Sequence, residues 1–160
     1  GTSLYASEED VLIYKIRFQN IGNYAARIVN IVDHLSPKLN WDSFELLNAS
    51  HPFTVSFSNG TLRWYNDNIE LPDSTTNPEG SQGYVSFSIR PNKGLSRFES
   101  IENKAEIRFD YNEYITTNTT SILINVPDVV QAKSKMYLQP NPATDLVNVN
   151  VLNSQEKSKI

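Results

Sequence analysis

From Val11 the chain alternates apolar and polar residues without a break, with Leu12, Tyr14, Ile16 and Phe18 set against Lys15, Arg17 and Gln19. A two-residue period is the signature of a half-buried strand, because successive side chains of an extended chain point to opposite faces. The same pattern returns along the chain. Arg27 to Leu35 carries Val29 and Ile31 as core contacts and ends at Ser36-Pro37, and Phe44 to Leu47 reads as a short strand. Val55 and Phe57 lead into Asn59-Gly60, a two-residue turn in which both positions accept positive φ, and Leu62 and Trp64 return from it. Val85, Phe87 and Ile89 share one face against Ser86, Ser88 and Arg90, which are expected to face water. Ala105, Ile107 and Phe109 repeat the alternation, and Ile122, Ile124 and Val126 suggest a last strand before Pro127. No segment holds a helical period for three turns.

About seven to nine short strands at intervals near 10 residues, joined by Gly, Pro and Asn turns, specify an all-β fold, an antiparallel immunoglobulin-like β-sandwich. The chain has no cysteine, so aromatic and branched side chains alone must close the core. Trp64, Phe87 and Phe109 are its expected centres. Asp128 to Lys135 lacks both alternation and turn residues and reads as a linker. The expected division is a sandwich over 1–127, a linker over 128–135, and a truncated β-rich segment over 136–160.

With 160 residues the chain holds one ordinary domain plus a fragment. Its 18 acidic and 14 basic residues leave a net charge of −4. The cations are scattered rather than striped, so no nucleic-acid partner is expected. No apolar run approaches the ~20 residues of a membrane-spanning helix. An export signal, if the protein carries one, is expected upstream of Gly1.

Tyr137-Leu138-Gln139-Pro140-Asn141-Pro142-Ala143-Thr144-Asp145, followed by the alternating Leu146-Val147-Asn148-Val149-Asn150-Val151, resembles the opening of the C-terminal sorting domain of cargo exported by the type IX secretion system of Gram-negative bacteria. The resemblance makes Pro140, Asn141, Pro142, Ala143, Thr144 and Asp145 the sorting motif. It implies a protein secreted or held on the outer cell surface, with the type IX machinery as a partner. Such a domain is expected to continue beyond Ile160. A lone strand of this kind is marginal in water, so it is expected to be poorly ordered or to pair with an exposed sandwich edge, in the same molecule or a neighbour.

Tyr14 to Asn23, Asp33-His34-Leu35-Ser36, Leu71-Pro72-Asp73-Ser74 and Gly83 to Phe87 together resemble the immunoglobulin-like conserved-repeat family of bacterial surface proteins. Asn103 to Ile107, Phe109 to Asn112 and Ile115 to Thr119 are similar to that family's closing strands. The resemblance implies a structural or presentation module of a larger secreted or surface-attached protein, usually with no assigned activity of its own.

Chemistry in the residues is sparse. The two histidines, His34 and His51, are badly placed for a hydrolase: Asp33 and His34 are strand neighbours on opposite faces, and His51 precedes Pro52. No catalytic residue, cofactor site or metal site is assigned. Asp73, Asn77 and Glu79, and Asp110, Asn112 and Glu113, offer oxygen ligands without the spacing of a calcium loop. Polar residues gather in turns to satisfy local backbone, which explains both clusters without a metal. Trp41, Tyr65, Tyr111 and Tyr114 would stack on sugar rings if they lay exposed on one surface, and otherwise they fill the core and its edges. That platform is the alternative reading: a carbohydrate- or protein-binding adhesion module, taking a cell-surface glycan or protein. Asp73-Ser74-Thr75 also resembles a bacterial O-glycosylation acceptor.

Overall fold

The computed structural model describes residues 4–126, together with the backbone of two strands at 135–137 and 146–153. Among these residues β1 (Leu4–Ala6), β2 (Asp10–Gln19), β3 (Val29–His34), β4 (Leu39–Ala49), β5 (Thr54–Ser58) and β6 (Thr61–Asn66) come first. They are followed by β7 (Gln82–Pro91), β8 (Ser100–Asn103), β9 (Ala105–Phe109), β10 (Ile115–Thr116) and β11 (Thr120–Ile124). The strands at 135–137 and 146–153 are β12 (Lys135–Tyr137) and β13 (Leu146–Asn153).

Two five-stranded sheets, ordered β12-β13-β2-β7-β4 and β10-β9-β3-β6-β5, make the layers. Ring contacts between Phe87 and Trp64, Phe18 and Phe109, and Phe44 and Phe57 lay β7 on β6, β2 on β9 and β4 on β5. A three-stranded sheet, β1-β11-β8, closes one side. The all-β sandwich is therefore as expected, with more strands than seven to nine, three of them ten or eleven residues long.

The expected inward residues, from Leu12 on β2 to Phe109 on β9, all join one core. Tyr14 stacks on Phe87 at 5.3 Å between ring centres, and Trp64 lies 5.8 Å from the same ring. Gly83 sits opposite Phe18 in the β2–β7 ladder, and a Cβ there would collide with the Phe18 ring. The Asn59-Gly60 turn forms as its residues dictate, with φ of 51° and 77°.

Three expectations need correction. Val126 is exposed and lies past the end of β11. The strand at Phe44–Leu47 is the middle of an eleven-residue β4 that shifts register twice against β7. Ser86 and Ser88 are buried, not water-facing, although Val85, Phe87 and Ile89 point into the core as predicted. The bulge explains Ser86. Where β4 slips between Leu46 and Ala49, the Ser86 hydroxyl accepts the Asn48 N–H and donates to the Asn48 carbonyl, each at 3.0 Å. Ser43 does the same at the other slip, accepting the Arg90 N–H at 2.8 Å and donating to the Asn40 carbonyl at 2.6 Å. Side-chain hydroxyls thus replace ladder bonds that the bulges break.

One strand changes sheets in mid-course. β8 pairs with β11, and after Lys104 the chain continues as β9 against β3. β1 runs parallel to β11, with Leu4 opposite Ile122 and Ala6 opposite Ile124. At the other side, β13 lies antiparallel along β2 from Leu146–Arg17 to Asn153–Asp10, and β12 pairs with β13. β13 thereby extends the sheet beyond β2, at an edge of the kind that takes on a further strand.

Candidate functional site

The outer face of the β10-β9-β3-β6-β5 sheet carries Arg108, Asn30, Tyr65 and Thr54 in one cross-strand row. Beyond β9 the chain turns at Asp110, whose φ of 55° marks a left-handed residue of the kind Asn and Asp tolerate. Its Oδ1 accepts the backbone N–H groups of Arg27 and Ile28 at 2.8 and 2.9 Å, and its own N–H donates to the Ile28 carbonyl. Asn112 closes the turn on the Phe109 carbonyl. These bonds anchor the turn to a segment more than 80 residues away in sequence.

The anchored turn brings Tyr111 to the edge of the row. Arg108 lies 5.7 Å from the Tyr111 ring centre and 5.6 Å from that of Tyr114, within cation–π range of both. Tyr111 is 81% exposed, and Tyr65 and Tyr114 are exposed to just over a third. A cavity of about 500 Å³ opens between Arg27, Tyr65, Asp67, Asp110 and Tyr111. A second, of about 300 Å³, lies between Pro52, Phe53, Tyr65, Asn66 and Asp67. Tyr65 and Asp67, two residues apart, form the wall the two cavities share.

Three of the four aromatics proposed as a platform therefore meet on one surface, and the fourth does not. Trp41 is half-buried against the core, its indole N–H donating to the Ser36 carbonyl at 3.0 Å. The sequence pattern missed Arg108 and the Asp110 anchor, since only the fold brings Arg27 beside Asp110.

Neither histidine lines the two cavities. His34 is exposed, with Nδ1 at 3.1 Å from the Thr61 hydroxyl and Nε2 at 4.0 Å from Glu106, while Asp33 points the other way into the core. His51 Nδ1 lies 2.7 Å from Ser50 Oγ, a serine–histidine contact the sequence did not predict. That hydroxyl is also engaged by the sheet, accepting the Tyr84 N–H at 2.8 Å. Partial burial lowers the pKa of His51.

In the Asp73 to Gly80 loop, the oxygens are spent on local backbone: Asp73 Oδ2 accepts the Thr76 N–H at 3.1 Å and Asn77 Oδ1 the Gly80 N–H at 3.0 Å. Hydrogen bonds from Thr76 hold the Asp73 carboxyl below its usual range. Among the described residues no three acidic or histidine side chains converge as a metal site.

A buried polar group was not foreseen. Asp33 on β3 is fully buried, and its Oδ2 accepts the side-chain N–H of Asn103 at 2.7 Å, tying β3 to the end of β8. Asp33 Oδ1, Asn103 Oδ1 and the Tyr14 hydroxyl have no hydrogen-bond partner among the described residues. Burial raises the Asp33 pKa to about 7, and burial followed by repulsion from Asp33 raises that of Tyr14. The sorting motif at Pro140 to Asp145 lies outside the described residues.

Comparison with known proteins gives a family and a fold. Residues 1–123 match the family model described as "Domain of unknown function (DUF7619)". No curated protein matches the chain. Among solved structures, the N-terminal domain of the Streptococcus gordonii adhesin Sgo0707 is similar over 76% of this chain at 16% identity and a TM-score of 0.55. This chain spans 30% of that one. The collagen-binding domain of a Staphylococcus aureus adhesin gives 8% identity and a TM-score of 0.45, over 71% of this chain and 87% of that one. The pilus backbone RrgB of Streptococcus pneumoniae gives 10% identity and a TM-score of 0.44, over 92% and 51%.

Proposed function

Because the chain belongs to the DUF7619 family, whose description names no activity, we propose from its geometry that it is a non-catalytic structural module of a larger bacterial surface protein, linked in series with its neighbours. The parallel pairing of β1 with β11 carries this reading. The chain enters the sandwich along β1 and leaves the β1-β11-β8 sheet along β11 in the same direction, before it reaches β12 and β13. A load applied at Leu4 and at Ile124 would shear that strand pair along its length rather than peel it apart, as suits a spacer that holds another domain away from the cell. A fold like this one makes up 30% of the solved N-terminal domain of the Streptococcus gordonii adhesin Sgo0707, which supports reading it as one part of a larger protein.

Secretion rests on the motif from Pro140 to Asp145. Its resemblance to a type IX sorting domain supports export from a Gram-negative cell, with the machinery recognising residues 136–160. The test is to delete 136–160, with everything that follows in the parent, and to follow the protein in its own bacterium. Retention inside the envelope is the expected outcome, and undiminished export overturns the sorting assignment. A second reading, adhesion, is favoured by the tyrosine-lined cavities on the outer sheet face.

A further inference from the structure

The geometry points to a binding trough for a neutral oligosaccharide on the outer face of the β10-β9-β3-β6-β5 sheet, running across the shared wall of Tyr65 and Asp67. The inference deepens the adhesion reading and stands independently of the sorting assignment.

Size is the first argument. Cavities of about 500 and 300 Å³ fall within the range of small-ligand sites, and because they abut, one extended ligand can occupy both. A chain of linked rings fits two open cavities better than a single compact molecule does.

Wall chemistry is the second. Sugar rings present flat patches of C–H beside a rim of hydroxyls. Tyr65 and Tyr111 supply exposed aromatic faces for the first. Asp67 and Arg27 supply an acceptor and a donor for the second, so vicinal hydroxyls find both partners. Tyr111 is held in place: its turn is anchored by Asp110, and Arg108 lies near its ring. A pre-positioned platform loses little freedom on binding.

Charge and donor count select among ligands. Arg27 and Arg108 are offset by Asp67 and Asp110, so the trough offers no net field to an acidic glycan or a nucleic acid. A proline-rich peptide also stacks on tyrosine, but it has no N–H at its prolines to offer Asp67, which only accepts. Neutral polyols satisfy every group named.

The test uses the full chain and calorimetric titration against hexamers of β-1,4-glucose, β-1,4-N-acetylglucosamine, α-1,4-glucose and α-1,6-mannose, with a polygalacturonate hexamer and decaproline as contrasts. Saturable binding of at least one neutral hexamer is expected. Tyr111→Ala and Asp67→Asn should each weaken it at least about tenfold, about 1.4 kcal/mol, with unchanged melting temperatures, because both side chains are exposed. Three results overturn the inference: no neutral hexamer binds at millimolar concentration; one binds equally well to both variants; or the acidic hexamer or decaproline binds in preference.

Discussion

Replacing Asp33 by Asn should make the sandwich more stable at pH 8 and change it little at pH 4. Asp33 lies fully buried, with one oxygen held by Asn103 and the other without a partner among the described residues. Burial raises its pKa to about 7 from the ordinary 3.8. Between those two values the folded protein binds a proton that the unfolded chain has lost, so stability falls as pH rises through that window. Below about pH 4 both states are protonated and the stabilisation of the neutral acid is fully present; above about pH 7 it is gone. A difference of about 3 pH units at 1.36 kcal/mol each makes the cost of the buried charge about 4 kcal/mol. Asn carries no charge, still accepts from Asn103 through its carbonyl, and can donate to Asn103 Oδ1 or the Tyr14 hydroxyl. Urea unfolding of the two proteins at pH 4 and pH 8 measures the effect, and the advantage of the variant should grow by about 4 kcal/mol between them. A difference independent of pH would refute the assignment of a buried, protonated Asp33.

Phe87→Ala should cost about 3 to 5 kcal/mol in chemical denaturation, since its ring is fully buried among Tyr14, Trp64 and Phe44. Ser86→Ala should cost about 1 to 3 kcal/mol in the same assay, as it strips both hydrogen bonds from Asn48 at the β4 bulge; a neutral result would show that the bulge does not depend on the hydroxyl. Heating with calcium and then with chelator should give the same midpoint, because the acidic loop spends its oxygens on its own backbone, whereas an ion bound only by the folded state would raise it.

The two-residue period made β2, β3, β6, β7 and β9 legible, because in each the core face follows directly from alternation. It could not show that β8 and β9 pair in different sheets, since Lys104 alone separates them and pairing partners are set by distant sequence. Nor could it show that Ser86 is covered, which depends on where β4 bulges. The site was legible in part: Tyr65, Tyr111 and Tyr114 were visible as residues of the right kind. Their convergence depends on the Asp110 anchor to Arg27 and on the Arg108–Asn30–Tyr65 row, both of them long-range. Asp33 and Asn103, 70 residues apart, gave no sequence signal of being neighbours.

The central claim, a module displayed outside the cell, is tested most directly by antibody raised against the sandwich, applied to intact cells of the producing bacterium. Staining without permeabilisation, abolished by brief external protease, is the predicted result. Staining that appears only after the envelope is breached would contradict the account.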